Sequence, residues 1–413
     1  MAALSDMAML SVQPLPTRPL RVLHVIHWLT RGGIESWLLN LLRHIDRSAI
    51  AMDVCCKGPD VGYLAPQVRA SGAEVLHCPL GLRPDSFVRR LKRTIQSGGY
   101  HVVHVHTHVH SGLPVVAARA AGVPVVTTFH NSMHGPETSF SRLPGVRHAR
   151  SLYARYSMRY ALLNSTLSTG VSLDTIHSVE RMAGLKASRA SVSHLGVVDP
   201  PRLASEAVAA LREDIGLEQG ARAIVHVGSF SRRKNHPVLL RAFRLVLDAI
   251  PRARLVLVGE GPERAAIEAL IQELRLTESV RVLGLRNDVH AVMQTAEVFL
   301  FPSITEGLSL ALMEAHAVGL PVVASDIPGN VEACEGGTLA KLCKPHDAAG
   351  FAASAVGILN DKPLAVEMGA RGRRYFESEF SMRASIDRLQ TLYDQALRAL
   401  STGGTVDDWR AAA

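Results

Sequence analysis

The stretch AEVFLFPSITEGLSLALMEAHAVGLPVVASD, residues 296–326, reads as a strand, a loop, a short helix and a second strand. AEVFLFPS (296–303) and LPVVASD (320–326) are apolar runs of strand length. Between them a helix is expected to open at about Glu306–Leu308 and to close at Gly319 and Pro321. Two strands joined by a crossover helix make the repeating unit of a parallel sheet. The helix is also chemically odd. Ala311, Leu312, Ala315 and Ala317 form an apolar face, yet Glu306 stands at its mouth and Glu314 lies inside. A buried carboxylate is costly unless something pairs with it.

The same alternation runs outward in both directions. LRVLHVIHWL (20–29), YHVVHVH (100–106) and PVVTTFH (124–130) are strand-like, and RGGIESWLLNLLRHI (31–45) opens an amphipathic helix. The second half repeats the pattern with RAIVHVGSF (222–230), RLVLVGEG (254–261) and VRVLG (280–284) before the stretch quoted above. Helices between the strands imply parallel sheets covered on both faces. A Pro-Pro pair in GVVDPPRLASEA (196–207) interrupts the alternation. The expected architecture is α/β, two doubly wound, Rossmann-like domains facing a cleft. Residues 1–19 form a loose tail, 20–199 the first domain and 200–380 the second. A last helix over 381–400 packs back on the first. Ligands in such sheets sit beyond the carboxyl ends of the strands.

Composition narrows the class. The chain has 413 residues, 47% hydrophobic and 20% charged, which suits globular domains with ample cores. No run approaches the roughly 20 apolar residues of a membrane helix. The start lacks the basic and apolar segments of a secretory signal. Five cysteines without paired spacing read as reduced thiols, so a cytoplasmic location is expected. Charge is uneven: residues 1–199 carry 21 Lys/Arg against 11 Asp/Glu, whereas residues 200–413 carry 24 against 26. Two domains with different partners follow from that skew.

Three strand ends bear glycines: TRGGIES with Gly32 and Gly33, VHVGSFSRRKNH with Arg232, Arg233 and Lys234, and LVGEGPER with Gly259 and Gly261. Each alone is compatible with an ordinary tight turn. None extends to a full G-x-G-x-x-G, and no P-loop is present, which counts against a dinucleotide-binding dehydrogenase. The helix after Ser303 is more informative. Free N–H groups at its start carry roughly half a positive charge and suit an anion such as a diphosphate. Glu314 stands about two turns further, ~12 Å by helical rise. A ligand with sugar, diphosphate and ribose in line matches that layout, although a helix-terminal charge and a satisfied core Glu match it too.

VGSFSRRKN, VGEGP, VLGLRNDV and PSITEGLSLALMEAHAVGLPVVASDIPGN occur in the order and spacing of retaining family 4 glycosyltransferases of the GT-B fold. RGGIESWLLNLLRHIDRS resembles the glycine loop and helix of members that make capsules and exopolysaccharides. The resemblance spans about residues 20–400. It implies that Glu306 meets hydroxyls of the donor sugar and Glu314 those of the ribose. By the same resemblance Lys234 would neutralise the diphosphate, and Gly307 and Leu308 would offer N–H groups to the donor sugar and phosphate. His130 resembles the histidine beside the reacting sugar, and the resemblance puts Arg286 and Asn287 on the loop that lines the base. Where the family commonly has arginine after the glycine of this turn, Ser229 stands; Arg232 or Arg233 is the expected substitute. No D-x-D triplet occurs, so neither metal nor other cofactor is expected.

Two further features invite other readings. HVVHVHTHVH sets His104, His106, His108 and His110 on one strand face, but four such residues span ~20 Å, too far for one ion. Residues 141–163 interleave Arg142, Arg147, Arg150, Arg155 and Arg159 with Tyr153, Tyr156 and Tyr160, and SFVRRLKRTI (86–95) adds four cations. This surface suits an ordinary solvated face, or one that meets anionic lipid or a phosphate-bearing acceptor, better than nucleic acid, for which no motif is found. The expected function is transfer of a hexose from a UDP-sugar to a glycan or lipid-linked acceptor with retention. The alternatives are a transferase with a small soluble acceptor and a non-catalytic nucleotide-sugar binding module.

Overall fold

A computed structural model describes residues 19–30, 32–132, 144–185 and 190–401, without the side chains of 144–147, 400 and 401. The expected N-terminal tail, apart from Pro19, and Arg142 lie outside the described residues, as does the side chain of Arg147.

The first sheet contains β1 (Leu20–Ile26), β2 (Ile50–Cys56), β3 (Val75–His77), β4 (Val102–Val105), β5 (Val125–Phe129), β6 (Leu167–Gly170) and β7 (Ser191–Val192). The second contains β8 (Arg222–Val227), β9 (Ala253–Val258), β10 (Val280–Gly284), β11 (Val298–Phe301), β12 (Val322–Ser325) and β13 (Ala340–Cys343). Their spatial orders are β3-β2-β1-β4-β5-β6-β7 and β10-β9-β8-β11-β12-β13. Every pairing between these strands is parallel. In each sheet the chain works to one side and then returns to the other. The order therefore reverses between β1 and β4, and again between β8 and β11. Those two reversals are where a crevice opens at the carboxyl ends.

The strands are apolar because helices cover both faces. All four residues of β11 are fully buried, as are Val22, Leu23 and Val25 of β1. The sequence pattern located β1, β4, β5 and β8 to β12. It passed over β2, β3, β6, β7 and β13, which are short, carry Asp53 or His77, or (LSTG of β6) read as a turn.

The chain crosses between the domains twice at one place. The Val197 N–H donates to the Phe380 carbonyl (2.7 Å) and the Met382 N–H donates to the Val197 carbonyl (2.9 Å). Arg373 clamps Asp199 of the outgoing crossing through two bonds of 2.6 and 2.7 Å. Beyond this point the helix Met382–Ser401 lies against helix Gly33–His44, β4 and β5 of the first sheet, with Tyr393 fully buried.

Candidate active site

The loops at the two reversals face each other. After β8 the chain turns through Gly228 into the single turn Arg232–Lys234 and then the helix His236–Ala249. Asn235 holds this turn with φ of 57°, a region asparagine tolerates better than most residues. Its Nδ2 donates to the carbonyls of Pro302 (3.0 Å) and Pro345 (2.8 Å). The loop is thereby tied to the end of β11. Lys234 is delivered into the cleft, and its Nζ donates to Glu306 Oε1 at 2.7 Å. Both side chains are nearly sealed, 9% and 7% exposed. The Phe301 ring lies 4.5 Å from the ammonium and adds a cation–π contact. Burial pulls the lysine below its usual range, with Glu306 opposing the shift. The partner of the buried carboxylate is thus Lys234.

Gly259 and Gly261 support this arrangement from behind. Gly259 has φ of 146°, and a Cβ there would fall 1.9 Å from the Gly228 carbonyl oxygen. Its place in the fold is explained by the close passage of two loops.

The helix after β11 begins at Leu310, with Ser309 as N-cap, and not at Glu306–Leu308. Residues 305–308 stay outside the helix where Gly307 approaches the other domain: a Cβ on it would stand 2.7 Å from the His130 carbonyl oxygen. A Cβ on Gly33 would likewise stand 3.1 Å from Leu310 Cδ1. The first domain's glycine loop and His130 therefore close over the mouth of the helix Leu310–Ala317. Leu308 is buried there. Gly32 is covered by the carboxylate of Glu35, whose pKa burial raises.

The remaining expected residues are less alike than the sequence suggests. Glu314 is half-buried, with His290 at 3.5 Å from its carboxylate, so it is not a sealed core acid. Arg286 is engaged by Asp288 of its own loop through bonds of 2.8 and 2.6 Å, and Asn287 is exposed. The Arg232 side chain is 92% exposed beside Glu263, whereas Arg233 adds to the positive potential at Lys234. Of the two, Arg233 is the one whose charge acts on Lys234.

The histidine row is not one strand face. β4 ends at Val105, and His108–His110 form a separate turn with His108 at φ 50°. His104 and His106 instead meet His24 of β1 and His130 at the end of β5. His24 Nδ1 lies 3.0 Å from His106 Nε2, and His106 Nδ1 lies 2.8 Å from His130 Nε2. His104 Nδ1 reaches the Tyr393 hydroxyl at 2.8 Å. Burial holds His24 and His130 at about 3, and His104 and His106 well below the ordinary range. All four rings are neutral at physiological pH. His24 and Tyr393 escaped the sequence reading, as did a clasp between domains in which Glu332 accepts from the Leu173 N–H (2.8 Å) and pairs with His194 (3.1 Å).

Two family descriptions match the chain: "Glycosyltransferase Family 4" over residues 31–199 and "Glycosyl transferases group 1" over residues 208–375. A putative glycosyltransferase of Bacillus subtilis, EpsF, is 31% identical over 311 residues, 74% of this chain and 79% of that protein. The UDP-Gal:alpha-D-GlcNAc-diphosphoundecaprenol alpha-1,3-galactosyltransferase of Escherichia coli is 25% identical over 91% of this chain and 96% of its own. Among solved structures, Anabaena HepE in complex with UDP superposes with a TM-score of 0.78, at 19% identity, over 91% of this chain and 99% of that one. The fold is that of HepE.

Proposed function

This chain belongs to the family 4 glycosyltransferases, and from that premise we infer that it moves a hexose from a UDP-sugar to a glycan or lipid-linked acceptor with retention, in polysaccharide synthesis. The observation that carries the reading is the sealed Lys234–Glu306 pair at 2.7 Å, set in the cleft under Gly307 and His130. The name of the Escherichia coli relative specifies a UDP-sugar donor and a lipid diphosphate acceptor, and HepE binds UDP. Incubating the protein with a panel of nucleotide-sugars tests the inference. A rise in melting temperature with UDP-sugars and release of free UDP are expected, since a ligand bound only by the folded state stabilises it by mass action. Nucleotide binding with no turnover on any acceptor would leave a binding module.

The roles follow from charge. Cleavage of the sugar–phosphate bond leaves extra negative charge on the diphosphate. Lys234, Arg233 and the N–H groups of Gly307, Leu308 and the helix start stabilise that charge in a water-poor cleft. Glu306, held by Lys234, turns its second oxygen to the sugar hydroxyls and does not serve as a nucleophile. The acceptor hydroxyl attacks on the face the diphosphate leaves, and a diphosphate oxygen takes its proton. Glu314 holds the ribose, Arg286 and Asn287 border the base, and the Gly32–Gly33 backbone closes on the phosphates.

With Lys234, Arg233 and a helix terminus aimed at the diphosphate, transfer is expected to survive exhaustive chelation with at most a twofold change in rate. Complete loss restored by one added ion would overturn this. It would direct attention to His24, His104 and His106, whose ligand atoms all lie within 4.8 Å of one another.

The helix Pro144–Asn164 presents Leu152, Tyr153, Tyr156 and Tyr160 to solvent together with Arg150 and Arg155. Arg159 is not part of this face: it donates to the carbonyls of Ala183 (3.3 Å) and Gly184 (3.1 Å) and so caps the helix Leu173–Ala183. Among the described residues no helix is long and apolar enough to cross a membrane. Contact with the membrane is assigned to this face, at about 1 kcal/mol per cation near an anionic surface. Binding to vesicles containing phosphatidylglycerol is expected at low salt and should fade at high salt. Arg150→Glu with Arg155→Glu should abolish it and leave UDP affinity intact. Indifference to anionic vesicles at low ionic strength would favour a soluble acceptor.

A further inference from the structure

The buried histidines and Tyr393 form one continuous hydrogen-bonded string. It runs from Thr169 Oγ1 to Thr128 Oγ1 (2.7 Å), to His104 Nε2 (2.7 Å), and from His104 Nδ1 to the Tyr393 hydroxyl (2.8 Å). The same hydroxyl lies 3.5 Å from His24 Nε2, and His24 leads through His106 to His130. At the far end His130 Nδ1 is buried and has no partner among the described residues. Every other ring nitrogen of His24, His104, His106 and His130 is engaged within the string. A metal ion would have to displace these bonds to use them.

A neutral imidazole carries one N–H donor and one acceptor nitrogen. Fixing the proton on one ring therefore fixes it on the next, and the string has only two polarities. Tyr393 chooses between them because its hydroxyl has a single proton. The contact to His104 Nδ1 is 2.8 Å and that to His24 Nε2 is 3.5 Å, and a hydrogen bond weakens steeply at the longer distance. The phenol donates to His104, whose Nε2–H donates onward to Thr128. His24 then carries its proton on Nε2, and its Nδ1 accepts from the His106 Nε2–H. His106 Nδ1 in turn accepts from the His130 Nε2–H. His130 is left with a lone pair on Nδ1.

We propose that Tyr393, acting through His24 and His106, is a positioning residue that locks His130 in the Nε2–H form, so that Nδ1 accepts a hydrogen bond from a hydroxyl of the bound sugar. The kinetic part of this rests on the reading of His130 as the residue beside the donor sugar; the tautomer does not. A residue of the last helix, which follows the second domain in the chain, thereby sets the hydrogen-bonding sense of a group in the cleft. Tyr393→Phe removes the one proton that chooses the polarity and keeps the ring that fills the core.

Two-bond proton–nitrogen NMR spectra of histidine-labelled protein, assigned with His130→Ala, read the tautomer directly. In the native protein the His130 Nδ1 signal is expected in the unprotonated position. A protonated Nδ1 there would overturn the proposal without any variant. In Tyr393→Phe the His130 signals should shift towards a mixture of both forms, while kcat falls about tenfold and KM for the donor stays within twofold. An unchanged His130 tautomer and kcat in folded Tyr393→Phe would also overturn it. A merely structural role for Tyr393 would lower the melting temperature and leave the tautomer alone. Should Tyr393→Phe fail to fold, His24→Ala cuts the string at the next link and carries the same expectations. Full turnover in His130→Ala would refute the role of His130 in the reaction, independently of the tautomer result.

Discussion

Lys234→Met is expected to cost about 3–5 kcal/mol of stability, the usual consequence of leaving one member of a buried ion pair alone. Glu306 is 7% exposed and takes its salt bridge from Lys234. Methionine matches the lysine stem and packs against Phe301, so the loss comes from the stranded carboxylate and not from a cavity. For a domain of this size the melting temperature should fall on the order of 10 °C. UDP affinity should fall as well, by about 1–3 kcal/mol for a lost charged hydrogen bond. Calorimetric titration with UDP and a thermal melt separate the two effects. The double variant Lys234→Met with Glu306→Gln should regain most of the stability and none of the activity, because a neutral pair no longer pays for desolvation. If the single variant melts like the native protein and binds UDP as tightly, Lys234 is neither a structural partner nor a phosphate ligand.

Glu306→Gln is expected to reduce turnover about 10²-fold, the loss that follows when a reacting group is misplaced by about 1 Å. The amide keeps the shape and still accepts a bond from Lys234, so folding should survive. UDP affinity should stay within a few-fold, since the proposed function sets Glu306 against the transferred sugar and not the nucleotide. Glu314→Ala is expected to show the reverse pattern, weaker UDP binding with less effect on saturated turnover. Near-native rates for Glu306→Gln under saturating donor would remove Glu306 from the reacting centre.

How much of this could be read in advance depended on how local the cause was. The parallel sheets were legible because strand and helix periods are short-range signals, and runs such as VFLF of β11 are apolar only when both faces are covered. Glu306, Lys234 and Gly307 were legible as a motif, but their geometry was not. The helix start was placed two to four residues early because Leu308 and Leu310 continue the apolar rhythm. Nothing in that rhythm announces that Gly307 must pass the His130 carbonyl. The histidine row misled for the same reason: its even spacing looks like one face, while the strand ends at Val105. Arg159 looked like its neighbours Arg150 and Arg155 until a helix terminus from residues 173–183 claimed it. Tyr393 and Glu332 act over 289 and 159 residues of separation, and no local pattern encodes such partners.

The return of the last helix to the first domain also bears on synthesis. β7 ends at Val192 and that helix begins at Met382, so roughly 190 residues, about 10–40 s of ribosomal elongation, separate them. Throughout that interval the sheet of the first domain waits with the face of β4 and β5 that Tyr393 covers still open. His24 and His104 wait without their phenol. The domain that leaves the exit tunnel first therefore cannot finish folding first, although it is made first. That face of β4 and β5 stays uncovered until the helix Met382–Ser401 has been made.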